Sequence, residues 1–251
     1  MNTKIRIALA AGAIVAASSL ASAGLPTLTG WNFIISAGSG DIAYNAASNP
    51  DTWDIRLLEG GPGDAVQIWE VVGTFEVPGQ FSGSFRLEMD PDPFIASFFT
   101  INNLTNNLQP FTVTALLPTI GLAAPSTVFG STTGTVGDGD GLVDQFGNGA
   151  TVRTITGSPY YEALVDGAGI QQLYPDASQH AAAQGFVGSI PNLPFGPQAG
   201  PALVGQIGIR NSFELTPGDN ASFTSTFNII PAPSGIAALG MLGFAAARRR
   251  R

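Results

Sequence analysis

Residues 221–230 read ASFTSTFNII, and their alternation decides the fold class. Phe223, Phe227 and Ile229 fall on one side of an extended chain, with Thr224, Thr226 and Asn228 on the other. Immediately upstream, SFEL (212–215) and the turn sequence TPGD (216–219) predict a hairpin spanning Phe213 to Ile229. The same two-residue period recurs in FSGSFRLEM (81–89), where Phe81, Gly83, Phe85, Leu87 and Met89 alternate with Ser82, Ser84, Arg86 and Glu88. It recurs again in PFTVTALL (110–117), which sets Phe111, Val113 and Ala115 against Thr112 and Thr114. AVQIWEVVGTFEV (65–77) predicts another strand, turning through VPGQ (77–80) into the Phe81 strand.

Strands with one apolar face need a second apolar surface to cover them. The expected class is therefore all-β, a single antiparallel β-sandwich of jelly-roll or Ig-like type, with the abundant phenylalanines doing much of the filling of its inner faces. With no internal repeat and no long linker, residues 24–230 are expected to form one domain. Helix is expected only at DASQHAAAQG (176–185), where Asp176 would be the N-cap and Gly185 the stop. The four prolines that follow up to Pro201 predict a long irregular loop.

The two ends read differently from the body. In MNTKIRIALAAGAIVAASSLASAGLP, Lys4 and Arg6 precede an alanine-rich apolar run and a small-residue pattern at Ala21 and Ala23, so residues 1–23 read as a secretory signal peptide cleaved before Gly24. At the other end, IPAPSGIAALGMLGFAAARRRR (230–251) carries an apolar stretch from Gly235 to Ala247 and then Arg248, Arg249, Arg250 and Arg251. As a helix that stretch spans about 20 Å, short of the roughly 30 Å of bilayer hydrocarbon, and the arginines would hold its end in the cytoplasm. Pro231, Ala232, Pro233 and Ser234, the apolar helix and the arginine cluster together resemble the sorting signal of PEP-CTERM proteins, with Ala232 where glutamate is usual. The resemblance implies an exported bacterial protein that is transiently inserted in the inner membrane through its C-terminal helix. It implies processing by an exosortase-like transpeptidase, and a place at the cell surface or in the extracellular matrix beside exopolysaccharide.

Between residues 24 and 232, four arginines face 18 acidic residues, a net charge of −14, and there is no lysine. Nucleic acid and anionic lipid surfaces are poor partners for such a body. The absence of cysteine excludes disulfides, thiol catalysis and thiolate metal sites. His180 is the sole histidine, no nucleophile elbow occurs, and the P-loop lysine is missing, so hydrolase, nucleotide and His-rich zinc chemistries lack their parts. A carboxylate pair among Glu88, Asp90 and Asp92 is the only outline of glycosidase chemistry. The sequence therefore reads as a non-enzyme without a tightly bound cofactor.

One acidic, glycine-rich stretch has the outline of a cation site. In GTVGDGDGLVDQFGNG (134–149), a calcium-loop register with Val136 first puts Asp138, Asp140 and Asp144 at ligand positions and Gly141 at the sharp turn. Gly147 stands where the bidentate glutamate belongs, so any calcium held there is expected to be weakly held. Two functional classes follow: a matrix or surface protein associated with polysaccharide, or a carbohydrate-binding or adhesive module assisted by calcium. The second would use an exposed aromatic platform at Trp31, Trp53, Trp69 or the pair Tyr160 and Tyr161.

Overall fold

The computed structural model describes residues 30–38, 40–45, 53–60, 67–122, 125–139, 143–144 and 147–231, and among these described residues strands are the only regular elements. In chain order they are β1 (Asn32–Ala37), β2 (Gly40–Asn45), β3 (Trp53–Glu59), β4 (Ile68–Val77), β5 (Phe81–Asp90) and β6 (Phe94–Asn103). Next come β7 (Gln109–Pro118), β8 (Ser126–Gly137), β9 (Val143–Asp144), β10 (Gly147–Asn148), β11 (Thr151–Arg153) and β12 (Tyr161–Val165). The last are β13 (Ala168–Leu173), β14 (Gln179–Ala181), β15 (Val187–Gly200), β16 (Gln206–Leu215) and β17 (Asn220–Pro231). The signal segment with Ala21, Ala23 and Gly24 lies outside the described residues, as do Ala232, Pro233, Ser234 and Arg248, Arg249, Arg250 and Arg251.

Two antiparallel sheets lie face to face. One has the order β13-β12-β16-β7-β1-β2, with β11 beside β16 and β14 beyond β11; the other has the order β15-β8-β17-β6-β5-β4-β3. The alternation read from the sequence becomes burial: Phe81, Phe85, Leu87 and Met89 of β5, Phe111, Val113 and Ala115 of β7, and Phe223, Phe227 and Ile229 of β17 all lie in one core. Aromatic rings bridge the sheets at that core. Phe33 stacks on Phe85 with centroids 4.3 Å apart, and Phe213 meets Phe223 at 4.9 Å and Phe99 at 6.2 Å.

Three sequence expectations are corrected. SFEL-TPGD-ASFTSTFNII is not a hairpin: β16 pairs with β7, β11 and β12 in one sheet, whereas β17 pairs with β6 and β8 in the other. The turn is an arch between sheets, pinned by the fully buried Asn103, whose Nδ2 donates to the carbonyls of Leu215 at 2.9 Å and Thr216 at 3.0 Å. Residues 176–185 form no helix. Asp176 accepts the amides of Gly157 and Ala177 and the Thr154 hydroxyl, Ala177 has φ of 71°, and Gln179–Ala181 pairs with Thr151–Arg153 as a strand. A run this short cannot nucleate a helix against such tertiary partners. The proline-rich segment is likewise a strand, the 14-residue β15, with register shifts between Ile190 and Leu193 and between Phe195 and Gln198. It is an edge strand, where proline's missing N–H costs no ladder bond on the open side.

Both described ends leave the same pole. The start of β1 pairs with the end of β7, where Asn32 meets Leu116, and Pro231 at the end of β17 meets Ser126 at the start of β8. The register links these two corners, because Gln206 at the head of β16 pairs with Pro118 and Ser126 donates its hydroxyl to Pro201.

Candidate functional site

The structure removes most of the aromatic platform that the sequence suggested. Trp31 is 1% exposed, and Tyr160 and Tyr161 are fully buried. Burial pushes both phenols well above the ordinary tyrosine range, and their hydroxyls donate to the backbone, Tyr160 to Val152 and Tyr161 to Thr226. Trp53 and Trp69 are half-buried, and Trp53 sits edge-on to Trp31 with centroids 5.3 Å apart. Trp53 and Trp69 pair with Gly73 and Met89, residues on the core-facing side of their strands. No tryptophan therefore rises from the outer face of a sheet.

The acidic candidates are dispersed in the same way. Glu88 lies 3.5 Å from Arg86, while the buried Asp90 accepts the amide of Asp92 at 2.9 Å in a tight turn. Burial raises the Asp90 carboxyl above its usual range, and the nearby Asp92 and Glu59 charges add to this against the lowering effect of the Asp92 amide. Val136, first in the calcium-loop register, is a fully buried residue of β8. Asp138 accepts the Gly185 amide at 2.6 Å, Asp144 belongs to the short strand β9, and Asp140 lies outside the described residues. Among the described residues no three His, Asp or Glu side chains converge on a possible metal site. His180 pairs across from Val152 and packs its ring against Tyr160 and Tyr174, and burial lowers its pKa.

The region that sequence reasoning passed over is the outer face of the seven-stranded sheet. Because side chains alternate, the residues between the buried ones on β4, β5, β6, β8, β15 and β17 all point away from the core. The registers place Thr74 opposite Ser84, Ser84 opposite Thr100, Thr100 opposite Ser222, Ser222 opposite Thr135, and Thr135 opposite Ser189. Six hydroxyl side chains thus form one line across six strands. Thr74, Ser84 and Ser189 are exposed and the other three half-buried. Thr100 and Ser222 share a hydrogen bond of 2.7 Å; among the described residues the hydroxyls of Thr74, Ser84, Thr135 and Ser189 have no partner within the protein.

Two adjoining hollows lie along this line. One, of about 230 Å³, is bounded by Ser84, Thr100, Ser222 and Thr224, with the Arg86 guanidinium 4.0 Å above the Phe98 ring as a wall. The other, of about 570 Å³, shares Ser84 and Thr100 and extends to Thr74, Glu76, Ser82 and Asn102. No arginine of the body is left unpaired, two of the pairs lying on the seven-stranded sheet and two on the other. Arg56 pairs with the buried Glu70, Arg86 sits 3.5 Å from Glu88 and 3.9 Å from Glu70, Arg153 sits 2.7 Å from Glu214, and Arg210 sits 2.9 Å from Glu162. These are all the arginines between residues 24 and 231.

No protein-family model matches the chain, and no curated protein matches it in sequence. Among solved structures, one similar chain is the carbohydrate-binding module TmCBM61 in complex with β-1,4-galactotriose, at 11% identity and a TM-score of 0.26, covering 72% of this chain and 88% of that one. Another is the enzymatically active domain of tailspike protein 4 of bacteriophage CBA120, at 13% identity and a TM-score of 0.24; the match covers 72% of this chain and 20% of that one.

Proposed function

We propose that this chain is an exported, non-enzymatic protein of the cell surface or extracellular matrix, whose β-sandwich holds extracellular polysaccharide. In this reading residues 1–23 direct export, residues 231–251 anchor the chain transiently in the inner membrane until an exosortase-like enzyme removes them, and the body carries the binding function. The observation that carries the reading is the outer face of the seven-stranded sheet, a broad surface of hydroxyl and amide side chains, some of them bonded to the protein itself while Thr74, Ser84, Thr135 and Ser189 have no protein partner among the described residues. Hydroxyl-rich polymers exchange their hydrogen bonds with water for bonds to such a surface at little desolvation cost. The common exit of both described ends supports it as well, since a chain held at that pole keeps the sheet face clear of the envelope. The same reading covers the calcium-assisted alternative, in which Asp138, Asp140 and Asp144 would steady a loop at the opposite pole.

The test is co-sedimentation of the protein released by its native host with that host's purified extracellular polysaccharide. Retention in the polysaccharide pellet is the expected result; a protein left wholly in the supernatant refutes the binding function. Intact mass of the same material tests the sorting part separately, with a C-terminus between Pro231 and Ser234 expected.

A further inference from the structure

The hydroxyl line assigns a class of ligand. We infer that the row Thr74, Ser84, Thr100, Ser222, Thr135 and Ser189 is a binding site for a neutral glycan lying extended across the strands; this rests on the polysaccharide-holding reading above and narrows it.

Three observations carry it. Neighbouring strands stand about 4.8 Å apart, roughly the length of one sugar ring in an extended chain, so successive rings meet successive strands in the same local setting. The line's six residues therefore offer a periodic set of donors and acceptors about 24 Å long. That is a surface suited to a polymer rather than to a single small molecule. Next, four of the six hydroxyls are unengaged within the protein among the described residues, while Thr100 and Ser222 hold each other at 2.7 Å at the centre. A hydroxyl both donates and accepts, so each unengaged member can match whichever group a sugar presents.

Charge then selects among polymers. The body carries −14 with every arginine between residues 24 and 231 paired to a glutamate, and Glu76 borders one hollow while Glu88 and Glu70 lie beside Arg86 at the other. A uronate-bearing or sulfated chain would meet repulsion with no free cation to offset it. A neutral chain meets no such barrier. Arg86, stacked on Phe98 beside Ser84 and Thr100, supplies a partly apolar wall against which the less polar face of a ring can rest.

The experiment is affinity electrophoresis of the full secreted chain in native gels containing hydroxyethyl cellulose or galactan as neutral probes and polygalacturonate as the anionic one, run at low and at moderate salt. Retardation by at least one neutral polymer and none by polygalacturonate is expected. The variant Ser84→Ala/Thr100→Val/Ser222→Ala is expected to bind the neutral polymer at least about tenfold more weakly, from three lost hydrogen bonds. A matched variant on the other sheet's outer face, Thr112→Val/Thr114→Val, should bind as the parent does. Should the triple variant fail to be secreted, Thr74→Val and Ser189→Ala at the exposed ends of the line provide the readout, each with a severalfold loss expected. Undiminished binding by the row variants, or retardation by polygalacturonate as strong as by the neutral polymers, overturns this inference while leaving polysaccharide binding in place. Retardation by none of these gels, together with co-sedimentation of the parent with its host's polysaccharide, also overturns the neutral class. Loss of both kinds of binding overturns the broader reading.

Discussion

β17 and β15 both pair with β8, one on each side, yet they are built by opposite rules. β17 is central, so each backbone group must serve a ladder to β6 or β8, and its sequence is strictly alternating and free of proline until its last residue. β15 is an edge strand, so one side of its ladder is open; it carries Pro191, Pro194 and Pro197, two register shifts, and only Ile190 and Phe195 as buried side chains. A central strand must satisfy hydrogen bonding and packing at once, which leaves a simple pattern in the sequence. An edge strand must also avoid pairing with other chains, and the prolines that protect it erase the pattern by which strands are recognised.

The largest effects are expected where β17 is made to follow β15's rules. Thr224→Pro would remove an amide from a doubly paired strand and is expected to prevent folding, seen as loss of the cooperative unfolding transition. Phe223 is 1% exposed and packs against Phe99, Phe213 and Tyr160, so Phe223→Ala should cost about 3–5 kcal/mol by denaturant titration. Phe195→Ala on β15, at 9% exposure on the rim of the core, should cost clearly less. Equal losses at the two positions would erase the distinction between central and edge strand.

The arch before β17 gives the next effect. Asn103→Ala removes a buried amide that donates to Leu215, Thr216 and Asn107, and with it the side-chain bonds that pin the arch. A loss of about 1–3 kcal/mol is expected. Asn103→Asp should be no milder, because the carboxylate has no hydrogens to donate. A loss of only a few tenths of a kcal/mol for Asn103→Ala would mean that the sheets, not this residue, hold the arch.

These positions also mark what the sequence could and could not disclose. The strands β5, β7 and β17 and the pairing of β4 with β5 were legible, because local alternation and a VPGQ turn carry their whole signal. The arch was not, since TPGD serves equally well to return a strand within its own sheet or to send it to the other. Which happens depends on β7 and β6, far earlier in the chain, accepting β16 and β17 separately. The misread helix has the same origin: an alanine run with an aspartate before it looks like a capped helix until Thr151–Arg153 supplies a pairing edge. The hydroxyl line was illegible for the strongest reason. Its members run from Thr74 to Ser222 and become neighbours only through five separate registers, while the tryptophans that drew notice were needed by the core or its rim.

His180 offers a smaller test in the region that was misread. Its ring packs on Tyr160 and Tyr174, and burial lowers its pKa, so the folded protein favours the neutral form. A histidine with a depressed folded pKa leaves stability intact above its unfolded value of about 6.5; as pH falls below that, the unfolded chain takes up the proton first and stability declines. Thermal stability should therefore decline as pH falls through and below about 6.5, and His180→Gln should flatten that part of the profile without abolishing the fold. An unchanged profile in His180→Gln would place the acid sensitivity elsewhere.

The smallest expected change in stability, and the sharpest test of the comparison, is Pro194→Thr on β15. Pro194 stands opposite Ser131 and is exposed at the wall of an open hollow of about 460 Å³, so the substitution breaks no core packing. Stability should shift by no more than about 0.5 kcal/mol in either direction. What should change is self-association. Threonine gives this edge strand a backbone N–H and a strand-favouring side chain beside the exposed Leu193, in a strand that also begins with the exposed Val187. Sedimentation velocity over a range of concentrations should then find Pro194→Thr associating where the parent stays at one size. A variant that loses stability but gains no association would mean that Pro194 is there to shape the bulge in register with β8; association at unchanged stability would mean that the prolines guard the edge.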